Sequence, residues 1–445
     1  MKRVVGMAAG SAALAGAYTV MAEPSTFTPL EGVPTNPVFF YRGYTQAFGV
    51  SGDGSVATGR AYSSQYGAYV SVYWIGNELT IIPPFPGNVP AEGQANAASE
   101  DGRYIVGGAR WSTRFDRREA YRHDRVSGLT RPLGDLPGND IFESYAADVS
   151  RDGRRVAGHS SSSRIRFYDP VVWDVPTNSL QPVNATALGV PGSFSFYTYA
   201  QTSAISGDGR RVFGSYESQT GNFQDVFSWS DPASGGAGNM VVPSSYAGNS
   251  SGRTNGDGGI LAGAVYAAGP DFVPAVWSDP LTGGTGFELL PILDDAMGGY
   301  ASAVSDDGRT VVGLSFTSFF GSEYNRKALI WRPEFGLMVI QDFLQNYWQV
   351  DLGGMVLENA TDVSDDGQTI VGEGNRFGIP LAWKAFIPNC PADFNADGGV
   401  DGGDIEAFFN AWENGRPFAD VNFDGGIDGG DVESFFAAWE SGGCQ

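Results

Sequence analysis

The sequence predicts an all-β fold, a seven-bladed β-propeller built from repeats of about 50 residues, followed by a small α-helical domain. Three observations lead to this prediction. An Asp-Gly segment recurs seven times, a tryptophan recurs at one position after it, and an acidic twelve-residue pattern occurs twice near the C-terminus. These features divide the chain into an N-terminal leader (1–22), a repeat region (23–388) and a C-terminal domain (389–445).

The repeats are anchored by an aspartate that precedes glycine, at intervals of 48, 51, 56, 49, 50 and 59 residues. The anchors are Asp53, Asp101, Asp152, Asp208, Asp257, Asp307 and Asp366. Each Asp-Gly pair lies between two apolar runs of β type, which is a strong hairpin signal because glycine accepts a positive φ. We therefore interpret these aspartates as turn formers. Calcium ligation is the alternative, but the surrounding segments lack further ligands.

A large side chain follows each anchor by about twenty residues. It is Trp74, Trp173, Trp229, Trp277, Trp331 or Trp383 in six units, and His123 in the second. A large group at one repeated position predicts a core between repeats, with a ligand-binding box as the alternative. Most units then contain one more short apolar piece, which gives four strands per unit.

The seventh unit ends soon after Trp383 and lacks that last piece, whereas an unassigned stretch, 26–34, precedes the first unit. We expect one N-terminal strand to complete the final blade. This arrangement closes the ring and removes an exposed sheet edge.

The C-terminal domain contains the pattern DxNxDGxxDxxD twice, 27 residues apart. Oxygen ligands at loop positions 1, 3, 5, 7, 9 and 12 can wrap a calcium ion, and glycine at position 6 permits the sharp turn. The pattern predicts two calcium ions. The ligands are Asp393, Asn395, Asp397, the Gly399 carbonyl, Asp401 and Asp404 in the first loop, and Asp420, Asn422, Asp424, the Gly426 carbonyl, Asp428 and Asp431 in the second.

One apolar stripe at helical spacing follows each loop, and both loops end in Asp rather than the Glu of a standard EF-hand. Duplicated loop-helix units of this kind resemble a type I dockerin, and the flanking Cys390 and Cys444 resemble the GC-type dockerins of exported bacterial proteins. The resemblance covers 390–445. It implies attachment to a cohesin-like receptor or cell-surface scaffold, in a family associated with polysaccharide breakdown.

Charge is concentrated in the same domain. Residues 390–445 carry 12 acidic side chains and one basic side chain, Arg416, within a chain of net charge −23. Such a domain repels itself without cations, so we expect metal binding to drive its folding. We expect no nucleic-acid partner for this chain.

The N-terminus reads as a secretory signal peptide, with Lys2 and Arg3 before an apolar run that ends at Ala22. A transmembrane anchor is the alternative, but the run is rich in Gly and Ala and barely long enough. Export predicts a secreted or cell-surface protein with no anchor after cleavage. An oxidising compartment favours a Cys390–Cys444 disulfide, with two reduced thiols as the alternative.

The repeat region, about 40–388, also resembles the extracellular HAF repeat family. The passage that carries this resemblance is 340–354, followed by Ala-Thr-Asp-Val-Ser-Asp-Asp-Gly-Gln-Thr-Ile-Val-Gly. The resemblance implies secretion and a repeat fold, but no reaction.

Catalytic residues are unknown from the sequence. His123 occupies a tryptophan position, and His159 reads as a surface or turn residue. Paired carboxylates serve glycoside hydrolysis, and candidates outside the repeat frame are Asp140, Glu143, Asp294 and Asp295.

Possible ligand-binding residues form a basic run and two tryptophans outside the repeat register: Arg110, Trp111, Arg114, Arg117, Arg118 and Trp348. Arginine forks match the anionic groups of an acidic polysaccharide, and indoles stack on sugars. The alternatives are arginines that balance neighbouring acids and tryptophans in local packing. The sequence favours a non-catalytic binding protein, with a polysaccharide hydrolase or lyase as the second hypothesis.

Overall fold

The computed structural model contains a ring of seven four-stranded antiparallel sheets and a C-terminal helical domain. It describes residues 26–33, 43–85, 92–110, 118–136, 143–162, 165–175, 186–188, 200–217, 224–236, 238–241, 249–266, 272–278, 287–317, 325–333, 336–395 and 399–440. The predicted all-β, seven-bladed propeller is confirmed. The predicted signal peptide, 1–22, lies outside the described residues.

Each of the first six blades takes four consecutive strands. Blade one contains β2 Thr45–Val50, β3 Val56–Ser63, β4 Ala68–Ile75 and β5 Glu78–Ile81, and blade two contains β6 Gly93–Ala98, β7 Tyr104–Ala109, β8 Glu119–Asp124 and β9 Leu129–Pro132. Blade three contains β10 Ser144–Val149, β11 Arg155–Ser162, β12 Ile165–Asp174 and β13 Thr186–Ala187, and blade four contains β14 Ala200–Ile205, β15 Arg211–Glu217, β16 Gln224–Ser230 and β17 Gly238–Val241. Blade five contains β18 Asn249–Thr254, β19 Ile260–Val265, β20 Val273–Ser278 and β21 Phe287–Leu289, and blade six contains β22 Gly298–Val304, β23 Val311–Phe316, β24 Arg326–Arg332 and β25 Gly336–Val339.

The seventh blade combines the two ends of the repeat region. Strands β26 Met355–Val363, β27 Thr369–Arg376 and β28 Ile379–Phe386 are joined by β1 Thr26–Leu30, which pairs antiparallel with β28. The predicted closure by an N-terminal strand is therefore confirmed. Leu30 on this strand is fully buried in the core shared by blades seven and one, so β1 contributes packing as well as hydrogen bonds.

The Asp-Gly segments form the turns between the first two strands of each blade. In blade two the Ser99 hydroxyl donates to Asp101 Oδ1 at 2.8 Å, and the same oxygen accepts from the Arg103 amide at 2.9 Å. Gly102 has φ +64°, and a Cβ there would lie 2.4 Å from Val56 of the previous blade. The anchors act as turn formers, and their glycines permit close contact between blades.

The recurring large side chains are core residues, as predicted. Trp74, Trp173, Trp277 and Trp383 are at most 1% exposed, and His123 at the equivalent position is 2% exposed. Several indoles donate to backbone carbonyls, for example Trp173 Nε1 to Gly134 at 3.1 Å. The repeat tryptophans therefore fill the blade cores, and Trp74, Trp173 and Trp331 also fix a neighbouring loop.

A short helical insert joins blades six and seven. It consists of α1 Ile340–Asp342 and a π-helical turn, Phe343–Tyr347. After β28 the chain forms α2 Gly402–Glu413 and α3 Gly429–Glu440. Phe408 and Phe435 stack in parallel between these two helices, 4.3 Å apart. None of the helices in the described ranges is long and apolar enough to cross a membrane.

Candidate functional site

The innermost strands of all seven blades contact one another around a central channel, and Arg253 crosses it. Its guanidinium pairs with Asp148 at 2.6 Å and lies 3.8 Å from Asp362. It also donates to the carbonyls of Phe48 and Asn96 at 3.3 and 2.7 Å. One side chain from blade five therefore ties together blades one, two, three and seven.

The anchor turns surround one end of the channel, where a second arginine links blades. Arg151 pairs with Asp306 at 2.6 Å and with Asp365 at 3.1 Å. The channel here encloses a cavity of about 80 Å³. Burial raises the pKa of Asp362 to about 6, although Arg253 opposes the shift. The ion pairs of Arg151 and Arg253 link four blades across this channel, and we call them the channel clamp.

The opposite end of the channel collects polar and aromatic side chains from four blades, and we call this region the polar mouth. It comprises Gln46, Arg60, Gln94, Tyr145, His159 and Glu373.

In blades seven and one, Arg60 Nε donates to Gln46 at 2.6 Å, and Gln46 donates to Glu373 at 2.9 Å. The Arg60 guanidinium also lies 4.7 Å from the ring centre of Tyr69. Burial raises the pKa of Glu373. A planar amide, a guanidinium and a carboxyl group are thus held in one fixed row.

His159 lies in the third-blade part of the polar mouth. Its ring stacks on Tyr145 at 5.3 Å and lies 4.8 Å from Tyr168. The prediction of a surface or turn position is therefore wrong, because His159 belongs to β11 and packs between two aromatic rings. Burial lowers the pKa of His159 to about 4, and Arg118 adds to the shift. The imidazole is neutral at pH 7 and a weak base.

The basic run reaches the edge of this mouth, where its arginines are paired. Arg110 and Arg118 both bind Glu92, at 2.9 and 3.2 Å. For these two residues the structure supports the alternative in which arginines balance neighbouring acids. Trp111, Arg114 and Arg117 lie outside the described residues.

Trp348 is not a platform for sugars. It is 8% exposed and stacks on Phe418 at 5.3 Å, where the helical insert meets the C-terminal domain. The packing alternative is the one that the structure supports, because burial removes the indole face from solvent.

The candidate acids that the structure describes fall in two separate places. Glu143 directly precedes the first strand of the third blade, whereas Asp294 and Asp295 are exposed and precede the sixth blade. Asp140 lies outside the described residues. Sequence reasoning missed a different pair in blade two. Burial raises the pKa of Glu119 to about 7, and the nearby Asp135 adds to the shift.

The second acidic loop has its carboxylates turned toward backbone amides. Asp420 accepts from the amides of Asp424 and Gly425 at 3.1 and 3.0 Å. Asp431, at position 12, accepts from the Asp428 amide at 2.8 Å. Gly425 at position 6 has φ +88°, which is the sharp turn that the pattern predicts. These bonds fix the carboxylates while leaving each of them further lone pairs.

The first loop follows the same plan where it is described. Asp404 accepts from the amides of Asn395 and Asp401 at 3.1 and 2.8 Å, and it forms a capping box on α2. The tryptophan of each helix bonds to the loop of the other unit. The Trp412 indole donates to the Asp428 carbonyl at 2.9 Å, and the Trp439 indole donates to the Asp401 carbonyl at 3.4 Å. Asp397 and Gly398 lie outside the described residues.

The donor set of these loops fits a hard cation. Asp404 and Asp431 are fully buried, and the only basic residue of 389–445 is Arg416, whose guanidinium bonds to Gln349. Within the described ranges no three His, Cys, Asp or Glu side chains already converge as a metal-binding group. The calcium ligands therefore stay predictions, supported by buried acids that lack positive charge from the domain itself.

The propeller contacts the second loop through Tyr347. Its hydroxyl donates to the carbonyl of Asp420, the first residue of that loop, and its ring stacks on Phe423 at 5.2 Å. Phe423 has φ +57°, an unfavourable conformation for a bulky residue, and the aromatic contact holds it there. The propeller therefore helps to shape the loop.

Replacing Tyr347 by Phe should weaken calcium binding at one of two sites by about fivefold, because one hydrogen bond of about 1 kcal/mol is lost while the stacking stays. Calorimetric calcium titration of the full chain measures this change. Tyr62→Phe in blade one is the control and should change neither site. Two unaltered sites in Tyr347→Phe would show that the propeller does not position the loop.

No protein-family model and no curated protein matches the chain. Among solved structures, oligogalacturonate lyase from Vibrio parahaemolyticus has a TM-score of 0.51 at 10% identity, over 82% of this chain and 97% of that one. The propeller domain of the Trilobed protease from Pyrococcus furiosus has 0.46 at 12%, over 76% and 92%. TolB from Acinetobacter baumannii has 0.41 at 16%, and the match spans 63% of this chain and 62% of TolB. The likeness to the lyase shows the fold alone.

Proposed function

We propose that this chain is an exported propeller that a calcium-folded C-terminal domain tethers to a cohesin-like receptor or cell-surface scaffold, and that it acts as a non-catalytic polysaccharide-binding protein. The observation that carries the tethering is the pair of fully buried acids, Asp404 and Asp431, at position 12 of two matching loops. The other features add support.

A buried carboxylate costs several kcal/mol unless a positive charge or strong hydrogen bonds compensate it. Backbone amides donate to Asp404 and Asp431 and offset part of this cost, and a cation held by the loop oxygens would offset the rest. Each loop brings together carboxylates, an asparagine amide and a backbone carbonyl, all of which are oxygen ligands of the kind that calcium prefers. The proposal of a dockerin and of a cohesin-like receptor is supported by the duplicated loop pattern. The proposal of secretion is supported by the N-terminal leader, 1–22. Cys390 is buried, but Cys444 lies outside the described residues, so the disulfide stays a prediction.

Binding without catalysis is favoured by the composition of the polar mouth. Its histidine is a weak base, and among the described candidate acids Glu143 lies beside the third blade whereas Asp294 and Asp295 precede the sixth. Aromatic rings beside amide, guanidinium and carboxyl groups suit recognition of sugar rings and hydroxyls. The substrate of the structurally similar lyase carries no weight here, because the shared fold does not transfer a substrate.

The test is to incubate the full chain with a panel of polysaccharides and to measure both retention and released sugars. We expect retention on at least one polymer without release, and calcium-dependent capture by a cohesin-type receptor protein. Absence of retention on every polymer would contradict the binding function, and capture that persists in a chelator would contradict calcium-dependent tethering.

A polysaccharide hydrolase or lyase is the second candidate, favoured by the Glu119–Asp135 pair. A carboxyl group with a pKa of about 7 beside a second carboxylate is a common acid–base arrangement. If sugars are released, Glu119→Gln should lower the rate by at least about a hundredfold. Glu78→Gln is the control, since Glu78 is exposed and lies in blade one. Equal rates for both variants would remove Glu119 from consideration.

A further inference from the structure

Phe377 is unusual because it is a large aromatic side chain that buries almost nothing. It is 84% exposed, and it is the one aromatic residue among the exposed large hydrophobic side chains of the described ranges. It occupies the tip of the β27–β28 hairpin, at the end of blade seven that faces the polar mouth. Exposed apolar residues Val356 and Ile379 lie on the same blade end.

The backbone at this tip is also unfavourable for phenylalanine. The two loop residues, Phe377 and Gly378, have φ values of +55° and +80°, which is the type I′ pattern that Asn-Gly adopts most readily. A bulky residue with positive φ is an outlier that costs stability. The ring is held over the backbone of Gly354, where a Cβ would lie 2.8 Å from its Cζ atom. Folding therefore gains little from this residue, which directs attention to binding.

Phe377, which we call the platform, and the polar mouth lie along the same blade edge. Glu373 is on β27, four residues before the turn residue Phe377, which places the two roughly 13 Å apart along the strand direction. From Glu373 the row continues through Gln46 to Arg60 and Tyr69 of blade one. An exposed ring at one end and a row of hydrogen-bonding groups at the other form a continuous strip across the seam of the closed ring.

The charge next to Phe377 is paired within the chain, whereas one positive charge is left over beyond the polar mouth. Arg376 beside the platform binds Glu31 at 2.6 Å, and Arg110 and Arg118 beyond the mouth share Glu92. The chain as a whole carries −23 and repels polyanions. The positively polarised C–H face of a neutral pyranose, by contrast, complements the negative face of an aromatic ring.

We propose that Phe377, together with the Glu373–Gln46–Arg60 row, is a binding strip for neutral polysaccharide chains, an inference that rests on the proposed polysaccharide-binding function and names its ligand class. The phenyl ring stacks on a pyranose face, and the row exchanges hydrogen bonds with the hydroxyls of the adjoining sugar units.

The decisive variant is Phe377→Asn in the full chain, because Asn-Gly is the preferred pair for this turn. Its binding to a soluble neutral β-glucan, a galactomannan and polygalacturonate is measured by affinity electrophoresis, and its stability by thermal unfolding. We expect Phe377→Asn to bind the neutral polymer about tenfold more weakly than the native chain does. Its melting temperature should equal or exceed that of the native chain. Val126→Asn is the control, an exposed apolar residue on the opposite face.

Unchanged binding of Phe377→Asn to the neutral polymer would overturn the proposed strip and would leave the polysaccharide-binding function intact. Retention of the native chain on polygalacturonate alone would have the same meaning. A melting temperature that falls together with binding would assign Phe377 a structural role and also overturn the inference. Failure of the native chain to bind any polymer would contradict the proposed function itself.

Discussion

Chelating calcium is expected to unfold the C-terminal domain and to leave the propeller folded. The fully buried Asp404 and Asp431 lose their counter-charge, and two helices of 12 residues each then lack a stable core. Calcium at a thousand times its Kd contributes roughly 4 kcal/mol per site, which is a large fraction of a small domain's stability. Far-UV circular dichroism of the full chain should lose its helical component, and limited proteolysis should cut after residue 388.

The matched variants are Asp404→Asn and Asp431→Asn, each of which should weaken calcium binding. The domain of each variant should therefore need a higher calcium concentration than the native domain to stay folded. Asp295→Asn is the control, because Asp295 is exposed in the sixth-blade region. Identical spectra with and without chelator would contradict the idea that metal binding stabilises this domain.

Replacing Arg253 by Met is expected to destabilise the propeller by about 3–5 kcal/mol, because the substitution leaves Asp148 and Asp362 buried without their shared partner. Methionine keeps most of the side-chain length, so the change isolates charge and hydrogen bonding. The free energy of unfolding is measured by denaturant titration. The control is Arg210→Met, an exposed arginine 3.8 Å from Asp208, which should cost less than about 1 kcal/mol.

The pH dependence of this effect follows from Asp362. Its folded-state pKa, about 6, is raised above the unfolded value, so its contribution to stability is present at low pH and is lost as pH rises through about 6. In Arg253→Met, stability should fall more steeply with rising pH, because protonation of Asp362 at low pH removes the buried charge that has lost its partner. We expect a smaller loss of stability for Arg253→Met at pH 5 than at pH 8. Equal losses at both values would show that the ion pairs do not dominate.

The architecture was predictable from the sequence because every repeat places the same residue types at the same structural positions. The Asp-Gly turns require glycine at a positive φ, and the recurring tryptophans fill equivalent blade cores, so both recur at nearly fixed spacing. The missing last strand of blade seven, together with the unassigned segment before blade one, predicted the ring closure that β1 provides.

The channel clamp was not predicted, because its partners lie in different blades and far apart in sequence. A signal was nevertheless present four residues before each anchor. Small residues occupy this position in four blades, whereas charged residues occupy it in three: Asp148, Arg253 and Asp362. Comparing repeat positions by charge as well as by size would have selected these three.

The sequence prediction of an aromatic platform at Trp348 is not supported, because residue type says nothing of burial. Trp348 stood out by residue type, but its helical insert packs against the C-terminal domain and buries the indole. Phe377 did not stand out in the sequence, since only the backbone conformation of its turn and its exposure distinguish it from a core phenylalanine. Residue type alone does not separate a platform from packing.

Calcium stoichiometry is the most direct test of the central claim that calcium folds the C-terminal domain. Isothermal titration of the metal-free full chain with calcium should show two ions bound per chain, together with recovery of the helical dichroism. Absence of calcium binding at millimolar concentrations, with both helices already formed, would contradict it.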